Sequence, residues 1–146
     1  MIQLVLHLIG DYVTQSDWMA QNKTKSTWAA FCHATIYALP FLAIASMHAW
    51  LVIWGTHLLI DRFRLARYIV WAKNFLAPRH TFVIERVEQG DSAKLHKIRT
   101  EWWHQWRDCS GTGYHKDSPP WLSVWLMIAA DNTLHLAINA AAITWL

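Results

Sequence analysis

The stretch LVIWGTHLLIDRFRLAR, residues 51–67, decides the fold class. Its first ten residues are apolar on almost every side of a helix, which predicts a helix in an apolar environment. His57 and Asp61 interrupt the run four residues apart, a spacing that places two side chains on one helical face. Arginines 62, 64 and 67 follow. The stretch therefore predicts a membrane helix with one polar pair and a basic end.

The same spacing of histidine and aspartate occurs twice more in apolar sequence. His7 precedes Asp11 by four residues, and Asp131 precedes His135 by four. Ionisable groups inside a membrane are costly and usually functional. His33, in another apolar run, is predicted to lie at a similar depth to the three pairs. These seven residues are therefore expected to meet in one site.

The composition favours a membrane protein. Of the 146 residues, 54% are hydrophobic and only 16% are charged, and 11 are tryptophan, a residue enriched at the membrane–water interface. The mean hydropathy of +0.12 hides this character, because the polar residues are bunched within 62–118. The net charge of +3 comes from basic residues at the ends of apolar runs, which indicates membrane topology rather than binding to nucleic acid.

Four apolar segments predict an all-α fold, a bundle of four transmembrane helices at about 1–20, 26–45, 49–75 and 119–146. The whole chain, 1–146, is expected to form a single integral membrane domain. Between the third and fourth helices lies a polar insert, residues 79–118. Its apolar residues at helical spacing predict a cytoplasmic amphipathic helix that lies on the membrane surface or on the bundle; they are Leu95, Ile98, Trp102 and Trp106.

The basic clusters predict an orientation in the bacterial inner membrane. Lys23 and Lys25 follow the first helix, and the third helix ends in the basic cluster of residues 62–79. By the positive-inside rule both loops are cytoplasmic, and both termini of this multi-pass protein are periplasmic. A homo-oligomer is one possible assembly.

The seven residues are expected to bind one or two divalent ions. Imidazole and carboxylate ligands without thiolates suit zinc, with manganese or iron as alternatives. The predicted metal ligands are His7, Asp11, His33, His57, Asp61, Asp131 and His135.

This chemistry predicts a metal-dependent hydrolase at the cytoplasmic face, with Asp61 and Asp131 as catalytic residues. The expected substrate is a phosphorylated lipid or a nucleotide-like anion, because basic and amide side chains adjoin the predicted site. The substrate-binding candidates are Arg62, Arg64, Arg67, Lys23, Gln15 and Asn132.

Two other functions stay open at the level of sequence. The protein is alternatively a non-enzymatic membrane interaction protein, with the His/Asp pairs as structural hydrogen bonds or salt bridges between helices. A conduit for protons or metal ions is the third alternative, although the outer halves of the second and fourth helices are nearly all apolar. The arginines at 62–67 are explained equally well as a topology signal.

Three stretches carry a family resemblance: HLIGDYVTQSDWMAQNKTKS (7–26), THLLIDRFRLARYIVWAKN (56–74) and PPWLSVWLMIAADNTLHLAIN (119–139). They resemble the small phage and bacterial membrane proteins grouped as domain of unknown function 3307. The resemblance implies a membrane location and supports these positions, but it implies no activity. The phage occurrence of the family suggests an inhibitor of a host or defence system as one form of the interaction protein.

Overall fold

The computed structural model describes residues 1–76, 80–85, 96–101, 106–116 and 118–146, with the backbone alone for 80–85 and 96–101. The chain forms two compact units. The first contains Met1–Ala66 and Ile128–Leu146, and the second contains Arg67–Met127. All seven predicted metal ligands belong to the first unit.

The first unit is built from short helices and part of one long helix. In chain order the elements are α1 (Ile2–Leu8), a π-helical turn (Ile9–Val13), α2 (Asp17–Asn22), α3 (Thr27–Ala38), a 3-10 turn (Leu39–Ala43), α4 (Met47–Phe63) and, from residue 128 onward, helix α6 (Pro120–Trp145).

Three serines begin three of these helices. The hydroxyl of each accepts a hydrogen bond from the backbone N–H three residues later: Ser16 from Met19, Ser26 from Ala29 and Ser46 from Ala49. Such caps satisfy backbone donors that a helix start leaves unpaired. Helix α4 begins at Met47, two residues before the predicted start at residue 49.

Helix α3 presents two rows of side chains at a spacing of four residues. Ala30, Ala34 and Ala38 are fully buried and small, which lets α4 approach closely. The other row, His33 and Tyr37, is continued by Phe41 of the following 3-10 turn; it carries the polar site at one end and the apolar core at the other. The apolar core is completed by Ala49 and Ile53 of α4 and by Ala142 of α6.

The second unit contains helix α5 (Ala66–Leu76) and a two-stranded antiparallel sheet. Strand β1 (His80–Glu85) pairs with β2 (His96–Glu101), with His80 opposite Glu101. A 3-10 turn, Trp106–Asp108, leads to the loop before α6. Gly113 has φ +81°, and a Cβ there would overlap the Arg67 carbonyl, so only glycine fits.

The prediction of four long membrane helices is not supported. The first predicted helix breaks after the π-helical turn, the second tightens into a 3-10 turn around Pro40, and the third breaks at Arg64, whose φ is +53°. Because the resulting helices are at most 17 residues long, they are shorter than the roughly 20 residues of a typical span.

Helix α6 alone, within the described residues, is long and apolar enough to cross a membrane. It has 26 residues, and only 17% of its most apolar window is buried, unlike the core helix of a soluble protein. This finding favours membrane association weakly. It supports neither a multi-pass topology nor an orientation of the termini.

The predicted amphipathic helix within 79–118 is wrong where the chain is described. Ile98 lies in strand β2, and Trp106 begins a 3-10 turn. The helical spacing competed with the alternating sequence HKIRTE, which pairs with the β-branched and aromatic run HTFVIE. Leu95 and Trp102 lie outside the described residues.

Candidate metal centre

Three polar atoms from three helical segments converge at the centre of the first unit. His33 Nε2 lies 3.0 Å from His57 Nε2, and Asp11 Oδ1 lies 3.3 Å and 3.5 Å from these two nitrogens. The side chains come from α3, α4 and the π-helical turn. All three residues are buried, so their polar atoms face one another rather than solvent.

Asp61 forms a second triangle on the same pair of imidazoles. Its Oδ2 atom lies 3.0 Å from His33 Nε2 and 3.2 Å from His57 Nε2. The edge between His33 and His57 is therefore shared by two carboxylates. Helix α4 supplies His57 and Asp61 from adjacent turns, as their spacing predicts.

These distances suit a divalent metal ion. Ligands about 2.0–2.1 Å from a tetrahedral ion are separated by roughly 3.3 Å. For an octahedral ion of the same bond length the separation is roughly 3.0 Å. The edges of both triangles, 3.0 to 3.5 Å, span these values. Two imidazoles and a carboxylate are also a common ligand set for zinc and iron. The buried cluster could therefore hold a metal ion.

Two carboxylate oxygens in this cluster lack a hydrogen bond. Asp11 Oδ1 and Asp61 Oδ2 are buried, and neither accepts an aligned hydrogen bond within the described part of the chain. Leaving a buried carboxylate without compensation is costly. The same contacts can act as ion pairs when the imidazoles carry protons, so the cluster suits either bound metal or shared protons.

His135 and Asp131 extend the cluster along α6. His135 Nδ1 lies 3.2 Å from His57 Nδ1, and His135 Nε2 lies 3.6 Å from Asp61 Oδ1 and from Asp131 Oδ2. His57, Asp61 and His135 form a second group whose ligand atoms all lie within 4.8 Å of one another. Asp131 is the most exposed carboxylate of the cluster, with 24% of its side chain accessible.

His7 lies beside the converging atoms and is held by hydrogen bonds. The amide of Asn139 donates to the Tyr37 hydroxyl at 2.7 Å, so the phenolic proton is free for His7 Nδ1, 2.8 Å away. His7 Nε2 then carries a proton and faces Asn132 Oδ1 at 3.3 Å and Asp11 Oδ2 at 3.5 Å. Both nitrogens of His7 are engaged, which favours a role in orienting Asp11 over direct ligation.

Tyr37 also fixes the position of His57. The two rings are stacked, with centroids 3.6 Å apart and planes inclined by 12°. Tyr37 is completely buried. Its ring and its hydroxyl therefore contact different parts of the same polar cluster.

Lys23 brings a positive charge to the cluster from the end of α2. Its Nζ lies 3.0 Å from Asp61 Oδ2 and 3.3 Å from His33 Nε2. With three ionised aspartates and neutral imidazoles, Lys23 leaves a formal charge of −2. One divalent cation would neutralise that charge.

The other predicted substrate-binding residues have different surroundings. Arg62 donates to the Thr24 carbonyl at 2.8 Å and to Thr27 Oγ1 at 3.2 Å, so it holds the loop before α3. Arg64 is exposed at the end of α4, and Arg67 belongs to the second unit, where it stacks on Tyr68 and Trp106.

Two predicted amides also differ in their contacts. Asn132 is occupied, because it accepts from His7 and donates to the Tyr12 hydroxyl at 2.7 Å. Gln15 has a buried Oε1 atom without a hydrogen-bond partner in the described residues. Sequence reasoning missed Tyr12, because its contact with Asn132 depends on the π-helical turn, which no local sequence pattern predicts.

Neither Cys32 nor Cys109 forms a disulfide bond in the part of the chain that the structure describes, and neither belongs to a ligand group there. Burial, and secondarily the charge of Asp108, raises the pKa of the Cys109 thiol. A raised pKa disfavours the thiolate form that binds metals. The ligand atoms of both groups are nitrogen and oxygen, from histidines and aspartates.

Comparison with known proteins identifies a family but no activity. No curated protein and no solved structure matches the chain. The model of a family described as protein of unknown function (DUF3307) matches residues 1–88. That range contains Asp11, Lys23, His33, His57 and Asp61. The match covers more than half of the sequence, and the protein therefore belongs to the DUF3307 family.

Proposed function

We propose that this protein is a membrane-embedded, metal-dependent hydrolase that acts on a phosphorylated lipid or a nucleotide-like anion. The observation that carries the proposal is the convergence of Asp11 Oδ1, His33 Nε2 and His57 Nε2 within 3.5 Å of one another, with Asp61 Oδ2 on the same pair of nitrogens. Zinc is the proposed ion, with manganese or iron as alternatives that use the same ligands.

The membrane part of the proposal rests on the distribution of polarity. The most deeply buried side chains of the first unit include four histidines, whereas large apolar side chains are exposed. Soluble proteins rarely expose contiguous apolar surface of this kind. We propose that α6 crosses the membrane and that the exposed apolar faces of the shorter helices contact lipid. The exposed residues include Leu4, Val5, Leu8, Trp28, Phe31, Leu51, Val52 and Leu59.

The side chains of the cluster divide into three proposed roles. Asp11, His33, His57 and Asp61 would hold the ion, with His135 at the edge of the group. His7, Tyr37 and Asn139 would orient Asp11 and His57 through the hydrogen bonds described above. A bound ion of this type makes water a nucleophile near neutral pH and polarises a phosphoryl oxygen.

Asp131 is the proposed general base. It is the carboxylate with the greatest solvent access in the cluster, and its Oδ2 lies 3.6 Å from His135 Nε2. A partly exposed carboxylate can take a proton from an attacking water. The buried Asp61, by contrast, has both oxygens turned toward histidines, so we assign it to ligation.

Hydrolysis by detergent-purified protein tests this assignment. We expect release of phosphate from phosphatidate in mixed micelles, or cleavage of bis(p-nitrophenyl) phosphate, that is abolished by a chelator and restored by zinc or manganese. Asp131→Asn should lower kcat by about 10²–10⁴-fold while metal content is retained. Asp17→Asn is the control, because Asp17 is exposed and contacts Gln21.

The second candidate is a membrane interaction protein in which the cluster is structural. The ion-pair distances between the histidines and aspartates favour it, since they hold helices together without a metal. This candidate predicts no stoichiometric metal and no hydrolysis. A metal-loaded protein that cleaves neither substrate would contradict the hydrolase proposal.

A further inference from the structure

Lys23 contacts two of the atoms that would bind the metal. Its ammonium lies 3.0 Å from Asp61 Oδ2 and 3.3 Å from His33 Nε2. An ion held by those same two atoms would lie close to the ammonium, and like charges so near in a buried site repel strongly. Lysine and metal therefore compete for Asp61.

The backbone around Lys23 is held in place, but its side chain is partly exposed and can turn toward solvent. Arg62 bonds to the carbonyl of Thr24 and the hydroxyl of Thr27, which fixes the loop that follows α2. The Lys23 side chain is 19% exposed, whereas that of Asp61 is only 4% exposed. Its flexible four-carbon stem lets the ammonium turn from the carboxylate toward solvent without movement of the helices.

We propose that Lys23 is a metal-gated anion-binding residue, an inference that rests on the proposed function. In this account the ammonium pairs with Asp61 until a divalent ion binds that carboxylate. The displaced ammonium then lies at the edge of the centre, where it binds the phosphate group of the substrate. Metal binding and phosphate binding are thereby coupled, because the ion releases the cation that the anion needs.

Lys23 contacts the cluster, whereas Lys25 and Arg62, the nearby basic residues, are engaged elsewhere or exposed. Lys25, two residues later, is exposed. Arg62 is occupied by the loop. Of the basic residues described in the first unit, Lys23 has its cationic atom within 3.5 Å of the predicted ligands. A phosphate monoester, with two negative charges, is the class of ligand that a lysine beside a divalent ion would favour.

Calorimetric titration with zinc and then with inorganic phosphate tests the coupling. For detergent-solubilised wild-type protein, we expect zinc to tighten phosphate binding about tenfold relative to chelator-treated protein. Lys23→Met should raise zinc affinity about tenfold, since the competing cation is gone, and should abolish the zinc-dependent gain in phosphate affinity. Lys23→Arg should retain the gain.

Lys25→Met is the matched control, because it removes the same charge from the same loop without contact to the cluster. It should leave both affinities unchanged. Zinc binding that is unchanged or weakened in Lys23→Met, while wild type binds zinc, would overturn the role of Lys23 alone. A wild-type protein that binds no zinc would overturn the metal centre itself.

Discussion

At the scale of residues, one tyrosine links the hydrogen-bonded and stacked parts of the cluster. The Tyr37 hydroxyl lies between His7 Nδ1 and Asn139 Nδ2, and its ring stacks on His57. The spacing of His7, His57 and their aspartates predicted which residues would meet. It could not separate ligands from supporting residues, because that depends on which nitrogen faces which atom across helices.

Tyr37→Phe should weaken the site without emptying it. The substitution leaves two buried polar atoms, His7 Nδ1 and Asn139 Nδ2, without their shared partner, at a cost of about 1–3 kcal/mol in the free energy of unfolding. Loss of such a supporting contact typically lowers metal affinity about 10–100-fold. Thermal unfolding in detergent and zinc titration measure the two effects.

Tyr68→Phe is the control for that substitution, because the exposed Tyr68 hydroxyl accepts only from Arg67 among the contacts described for it. Its effect should stay within about 0.5 kcal/mol. Equal unfolding temperatures and equal zinc affinities for Tyr37→Phe and wild type would show that the hydroxyl supports nothing.

At the scale of elements, the sequence predicted four apolar segments but not their interruptions. Proline disfavours a continuous helix, and the structure has a 3-10 turn around Pro40 in the second segment. The breaks after the π-helical turn and at Arg64 had no such signal. Arg64 adopts a left-handed conformation that glycine favours. An arginine at this position therefore did not predict that the helix ends there.

The π-helical turn depends on the absence of a side chain at residue 10. A Cβ at Gly10 would lie 2.5 Å from Tyr37 Cδ2, and the Tyr37 ring is held by its stack on His57. Gly10→Ala should therefore destabilise the fold by about 1–3 kcal/mol through overpacking.

Gly55→Ala provides the matched comparison within α4. Nothing lies within 4 Å of a Cβ built at Gly55, so alanine should stabilise the helix by about 0.5–1 kcal/mol. Thermal unfolding of both variants decides the matter. A Gly10→Ala protein as stable as Gly55→Ala would contradict the close packing between the π-helical turn and Tyr37.

At the scale of the whole molecule, the first unit buries a polar cluster beside an apolar core and exposes large apolar side chains. Composition predicted a membrane protein, and α6 has the length and character of a span. The number of spans could not be read from apolar content, because turns at Ser16, Pro40 and Arg64 shorten the helices. The proposed membrane insertion therefore depends on the exposed surface as well as on α6.

Membrane insertion predicts a strong effect of a charge on the lipid-facing side of α6. Ala137 is exposed within that helix, and Ala137→Lys should cost about 2.5–3.5 kcal/mol of insertion free energy if this position lies near the bilayer centre. We expect a smaller fraction of the variant than of wild type in carbonate-washed membranes. Gln21→Lys, on the exposed face of α2, should not change that fraction. Wild-type protein that purifies as a monodisperse species without detergent would contradict insertion.

The metal content per chain is a direct measure of the proposed metal centre. Elemental analysis of wild-type protein, loaded with zinc and freed of excess ion, should find about one divalent ion per chain. His57→Ala should lose it, because His57 belongs to both ligand groups, whereas His48→Ala should retain it, because His48 is exposed. Wild-type protein without an ion, or a folded His57→Ala protein that keeps its full content, would contradict the metal centre.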